Sequence, residues 1–188
     1  MRASWIFILS FNLLHVVPAQ ASYERPGRFS FAQEYHQDQV TLDLRGAGTL
    51  SYLKMFKVYV GALYLPPGVE SDRVLDDVPK RLEVAYLRSM RGEDFGEITV
   101  KALADRYSAG ELAAVEDRVA SHSSLYRDVG PGDRQALTYL PGRGTVLELN
   151  GDRLGTIPGA DFARVLFSLW LGPEPIDNTF KNALLGIR

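Results

Sequence analysis

Apolar residues recur along this chain with two different periods, and the switches between them mark out its elements. Phe29 and Phe31, then Val40, Leu42 and Leu44, alternate with polar neighbours, the period-2 signal of half-buried strands. Gly46-Ala47-Gly48 reads as a turn or bulge. Met55 to Leu65 is rich in β-branched and aromatic residues and too apolar for either side to face water, which predicts a central strand stopped by Pro66-Pro67-Gly68. Ser71 to Val78 reads as a short helix with Ser71 as its N-cap and Pro79 as its stop. Leu82, Val84 and Tyr86, with Arg88 beyond them, give the next strand.

The period then becomes helical. Phe95, Ile98, Ala102 and Leu103 predict a helix running to about Tyr107. Ser108-Ala109-Gly110-Glu111 has the capping-box form, and Leu112, Val115 and Val119 give the following helix one apolar stripe. Strands return at Gln135 to Leu140 and Thr145 to Leu149, joined by Pro141-Gly142-Arg143-Gly144. Asn150-Gly151 is a two-residue hairpin signal leading to a strand over Arg153 to Ile157. Gly159 to Leu171 is a helix closed by Gly172-Pro173, and Asp177 caps a last helix ending at Gly186. Runs of strands and runs of helices, rather than strict alternation, predict an α+β fold: a mainly antiparallel sheet with helices on one face.

The first residues follow a different logic. Arg2, the apolar run Trp5 to Val17 and the small residues of Pro18-Ala19-Gln20-Ala21 have the order of a secretory signal peptide. The run is about 13 residues, whereas a membrane-spanning helix needs about 20. The expected organisation is a signal peptide over 1–21, an N-terminal leader and first strand over 22–39, and one domain over 40–188. The expected location is periplasmic or secreted after cleavage near Ala21, with no membrane span in the mature chain.

Composition narrows the function. The 188 residues are 46% hydrophobic and 23% charged, with a formal net charge of −2, which is ordinary for a globular chain and too acidic for bulk binding of nucleic acid. There is no cysteine, which excludes disulfides, thiol nucleophiles and thiolate metal sites. Beyond the leader the only histidines are His36 and His122, too few for a zinc set, so neither a metal nor a cofactor is expected. His122-Ser123-Ser124 lacks the geometry of a catalytic triad and reads as a polar helix end. Gly46-Ala47-Gly48 lacks the third glycine of a dinucleotide fingerprint. The aromatic residues are more informative. Spread through sheet and helices, they fit either a packed core or a cleft lined by rings and a few phenol donors. On strict alternation, Lys57, Tyr59 and Gly61 share one face of the central strand, where Lys57 beside Tyr59 would suit an anionic head group.

Several segments together resemble a known family. Gly46-Ala47-Gly48 followed by Phe56-Lys57-Val58-Tyr59-Val60-Gly61-Ala62-Leu63-Tyr64-Leu65-Pro66 is similar to the opening of the bacterial chalcone isomerase-like domain. Tyr139-Leu140-Pro141-Gly142-Arg143-Gly144-Thr145, Asp161-Phe162-Ala163 and Trp170-Leu171-Gly172-Pro173-Glu174-Pro175 continue the resemblance. It implies an open-faced β-sandwich, a large antiparallel sheet covered by helices on one side. It also implies where an isomerase would work. The family's catalytic Arg falls at Leu50, its strand Thr at Tyr59, its helix Tyr at Phe95 and its helix Asn at Ala102; Arg45 and Lys54 are near Leu50 but out of register. With these groups substituted, the resemblance implies no isomerase activity.

A second branch of the superfamily binds fatty acids through an Arg and a Tyr. Tyr59 is similar to that Tyr, while the cation stays open among Lys57, Arg88 and others. The expectation is therefore a small hydrophobic or acyl ligand, with Leu50, Lys57, Tyr59, Tyr86, Arg88 and Phe95 as cleft candidates. Two alternatives stand beside it: an interaction module whose cleft is filled by its own side chains, and an enzyme with altered cleft residues. No protein partner is named by the sequence.

Overall fold

A computed structural model describes residues 22–24, 29–53 and 55–187. The proposed signal peptide and Lys54 lie outside them. Strand β1 (Ser22–Glu24) pairs antiparallel with β2 (Ser30–Ala32). The remaining strands are β3 (Glu34–Gln37), β4 (Val40–Tyr52), β5 (Phe56–Leu65), β6 (Lys80–Tyr86), β7 (Arg134–Leu140), β8 (Gly144–Leu149) and β9 (Asp152–Ile157). They form one seven-stranded sheet in the order β3-β4-β5-β6-β7-β8-β9, every neighbour antiparallel. Helices α1 (Gly92–Ala104), α2 (Ala109–Ala113) and α3 (Glu116–Ser123) fall between β6 and β7; α4 (Ala160–Leu171) and α5 (Asn178–Leu185) follow β9.

One face of the sheet carries the main core. Tyr59, Leu63, Leu82, Val84, Tyr86, Leu137 and Leu147 meet Phe162, Leu166 and Leu169 of α4 and Phe180 and Leu184 of α5. The other face is smaller. Leu42, Ala47, Val60, Ala62 and Tyr64 are covered by Phe31 of β2. There Arg81 bonds Thr138 at 2.7 Å and pairs with Glu148 and Glu83, while Arg134 reaches Glu83 at 2.5 Å.

Gly46-Ala47-Gly48 forms no turn; it lies within β4. The bulge is one residue earlier, where Arg45 has no partner of its own between the pairs Leu44–Tyr64 and Gly46–Leu63. The glycines serve close approach. A Cβ on Gly48 would lie 2.8 Å from the Ala183 Cβ, and one on Gly61 would lie 2.6 Å from the Phe180 ring, so α5 can rest on the sheet only over small residues.

Two further expectations are corrected. Residues 71–78 make turns rather than a helix, closed by bonds such as Arg73 N–H to the Glu70 carbonyl at 3.0 Å. Ser71 does not cap, because its hydroxyl takes the Arg45 guanidinium at 3.3 Å, and the Asp76 carbonyl takes the buried Lys80 ammonium at 2.9 Å. The stretch after Ser108 is two helices. The capping box is present, but the helix it opens ends at Ala113, and α3 starts anew after Val115, whose side chain makes no capping bond. Arg118, held by the Asp161 carboxylate at 2.6 Å and the Ala114 carbonyl at 2.7 Å, clasps the break to α4.

Candidate ligand cavity

Between the sheet and helices α1, α4 and the end of α3 lies a cavity of about 540 Å³. Its floor is sheet: Leu50 from β4, Val58 and Tyr59 from β5, Leu82, Val84 and Tyr86 from β6, Gln135 and Leu137 from β7. Its roof is Phe95, Thr99 and Ala102 of α1, Tyr126 after α3, and Leu169 and Trp170 of α4. Tyr52, Phe56, Arg88, Ile98 and Ile176 stand at the mouth, where each is solvent-exposed.

Five of the six expected cleft residues, Leu50, Tyr59, Tyr86, Arg88 and Phe95, line this space. Lys57 does not; it is exposed outside the wall. The reason is a second bulge. Leu50 pairs with Tyr59 but Ser51 pairs with Lys57, so Val58 is an extra residue and the alternation loses phase there. Val58 and Tyr59 both face the cavity, and Lys57 is turned away. Its contribution is its backbone carbonyl, which accepts from Arg88 Nε at 3.1 Å.

The interior polar groups are neutral. Tyr59 Oη accepts from the Trp170 indole N–H at 2.8 Å, which leaves its own proton free to donate. Burial raises the Tyr59 and Tyr86 phenols above the ordinary tyrosine range and pushes Tyr126 up to about 12. All three are therefore donors, not bases. The rings hold one another: Tyr59 meets Tyr86 edge-on at 5.8 Å, Tyr86 meets Phe95 at 5.5 Å, and Phe95 stacks on Tyr126 at 5.2 Å. No Asp, Glu, His or Lys is among the described lining residues. Nor, among the described residues, is there a cluster of His, Cys, Asp or Glu that could hold a metal ion.

A family model described as chalcone isomerase-like matches residues 26–186. The chain belongs to the chalcone isomerase-like family. Among solved structures, a fatty-acid binding protein of Arabidopsis thaliana is similar at a TM-score of 0.68 and 17% identity, over 88% of this chain and 96% of that one. At that identity the similarity shows the fold. No curated protein matches the chain. Within the family frame, the positions that the resemblance gives to the isomerase Arg, helix Tyr and helix Asn are Leu50, Phe95 and Ala102, and all three face the cavity as apolar groups.

Several lining residues escaped the sequence reading, Trp170 and Gln135 among them. Trp170 figures in the sequence only as a helix residue and in the segment that carries the family resemblance; its partner Tyr59 is 111 residues away. Gln135 was visible only as a strand residue, and no local pattern marks the one polar side chain that β7 turns toward the cavity. His122, expected at a polar helix end, is fully buried.

Proposed function

We propose that this chain is an exported, non-catalytic binding protein for a small amphipathic acid, of which a fatty acid is the simplest case. The apolar tail occupies the sheet–helix cavity and the carboxylate sits at the mouth beside Arg88. The observation that carries this reading is the distribution of charge: an apolar wall with neutral donors inside, and Arg88 as the cation at the rim among the described lining residues. A carboxylate moved into the interior would lose hydration and meet no cation, at a cost of several kcal/mol. At the rim it keeps water and gains the guanidinium, whose Nε donates to the Lys57 carbonyl while its terminal nitrogens have no hydrogen-bond partner among the described residues. A volume of about 540 Å³ is within the range of small-molecule sites.

Catalysis is disfavoured by the same inventory. Cyclisation or proton abstraction needs a base or an electrophilic clamp inside the site, and the lining supplies protonated phenols and an amide. The open cavity also weighs against a cleft filled by its own side chains. The similarity to a fatty-acid binding protein supports the acyl choice. Export rests on the leader sequence, and a mature N-terminus at Ser22 is its test.

The experiment is displacement of a fluorescent fatty acid from delipidated protein, with native mass spectrometry of the protein as purified. Ala102→Trp should fill the cavity and abolish binding while the fold is retained. Arg88→Glu should weaken the free acid by about tenfold and leave its methyl ester unchanged. No binding at high micromolar acid, or unchanged binding in Ala102→Trp, would overturn the proposal.

A further inference from the structure

The largest exposed apolar side chains are not scattered. Tyr52, Leu53, Met55 and Phe56 are 65%, 67%, 75% and 46% exposed, and they form the tip of the β4–β5 hairpin. Single exposed apolar residues are ordinary; four within five positions are not. Two more exposed residues, Ile98 and Ile176, stand with Tyr52 and Phe56 around the cavity mouth. The apolar patch and the rim of the cavity are thus one continuous surface. The ribbon also runs past β6: the β5–β6 ladder starts at Tyr59, with the Leu87 N–H reaching the Val58 carbonyl at 2.9 Å, while β4 and β5 stay paired out to Tyr52 and Phe56.

Leu53 adds an independent sign. Its φ is +50°, in the left-handed region that turns usually give to Gly, Asn or Asp. A leucine there is strained, and at two-thirds exposure it recovers little by packing. Folding does not explain the choice of residue. Exposed cations flank the wedge: Lys57, and Arg88, whose guanidinium lies 5.6 Å from the Phe56 ring. The carboxylates at the start of α1, Glu93 and Asp94, are engaged by Arg91.

We propose that the β4–β5 hairpin tip is a membrane-contact surface. Its apolar side chains enter the head-group region of a bilayer containing anionic lipid, with Lys57 and Arg88 on the lipid phosphates, and the cavity mouth rests on the membrane. A narrow projecting wedge needs a pocket in a protein partner, whereas a fluid interface closes around it. Aromatic rings with neighbouring cations are the side chains that favour this interface. The proposal does not depend on what the cavity holds; where it holds an acyl ligand, the ligand passes between bilayer and protein without crossing water.

The test is co-flotation of the full chain with vesicles of phosphatidylcholine and phosphatidylglycerol, and with phosphatidylcholine alone. Two double variants are compared, Leu53→Asn with Met55→Gln and Leu53→Asp with Met55→Asp. Asn and Asp suit the left-handed turn, so both variants should keep the wild-type thermal midpoint. The expected result is binding to the mixed vesicles that falls at least about tenfold in both variants, with weaker binding to phosphatidylcholine alone. Absence of vesicle binding would overturn the proposal. So would binding that survives in the variants, which would assign it to the apolar N-terminal run. A wild-type dimer that the variants dissociate would also overturn it, by giving the patch to a second copy. Fatty-acid binding measured without vesicles separates the two proposals: retained binding with no flotation defeats only this one, and flotation with no fatty-acid binding defeats only the former.

Discussion

His122 should make the stability of this protein pH-dependent through a single side chain. It is fully buried at the end of α3, edge-on to Tyr126 at 5.0 Å and tilted against Phe162 at 5.6 Å, and neither ring nitrogen has a hydrogen-bond partner among the described residues. Burial pushes its pKa from 6.5 down to about 4. The folded chain therefore resists a proton that the unfolded chain accepts at 6.5. Because the unfolded state binds more protons below that value, the stability is complete above about pH 6.5 and declines as the pH falls toward 4. With these two constants the loss between about pH 7.5 and about pH 5 is about 2 kcal/mol. Asp161, held down to about 2 by its bond to Arg118, loses its contribution only below that window. His122→Leu keeps the side-chain volume roughly constant and removes two unsatisfied polar atoms. It should be as stable as the wild type at about pH 7.5, or more stable by about 1 kcal/mol, and should lack the slope. Urea unfolding followed by circular dichroism at both pH values measures this. A variant with the wild-type slope, or one destabilised by more than about 2 kcal/mol at neutral pH, would refute the reasoning.

Other side chains give separate tests. Gly48→Val should place its branches against Ala183 and Phe180, lower stability by about 2–3 kcal/mol and loosen α5; an unchanged melting temperature would mean that α5 does not rest on this glycine. Arg81→Met removes the guanidinium that bonds Thr138 and pairs with Glu83 and Glu148; Glu83 keeps Arg134, while Glu148 is left largely buried without that cation. It should cost about 2–4 kcal/mol in chemical denaturation, and adding Glu148→Leu should recover part of that. A single variant as stable as the double would show that the network is not coupled.

What was legible along the chain was whatever local chemistry decides. Asn150-Gly151 formed its hairpin because both residues have positive φ, at 53° and 89°, which Asn and Gly tolerate best. Asp177 capped α5 through the Phe180 N–H because a carboxylate one residue ahead of a helix is placed to do so. The stripe of α4 was legible because that helix is buried along most of its length. The candidate site was partly legible for the same reason: Tyr59, Tyr86 and Phe95 belong to elements whose inner faces the periodicity identifies.

The sequence by itself determined the order of most elements, the α+β class, several caps and turns, and which faces are apolar, since each depends on neighbours within a few residues. The tertiary structure alone decided the rest. Strand alternation gives a side chain's face only while the register is unbroken, and the bulge at Val58, set by pairing with β4, sent Lys57 outward and left Arg88 as the rim cation. Residues 71–78 carry a cap and a stop for a helix, but distant Arg45 and Tyr139 draw on Ser71 and the Asp77 carboxylate, nearby Lys80 takes the Asp76 carbonyl, and together they outweigh a short helix with weak intrinsic stability. Gly46-Ala47-Gly48 carries the local mark of a turn, yet its meaning is the approach of α5 from more than a hundred residues away. A cavity has no local signature at all: its floor and roof are joined by Tyr59, Tyr86, Phe95 and Tyr126, rings that meet only when the chain is folded.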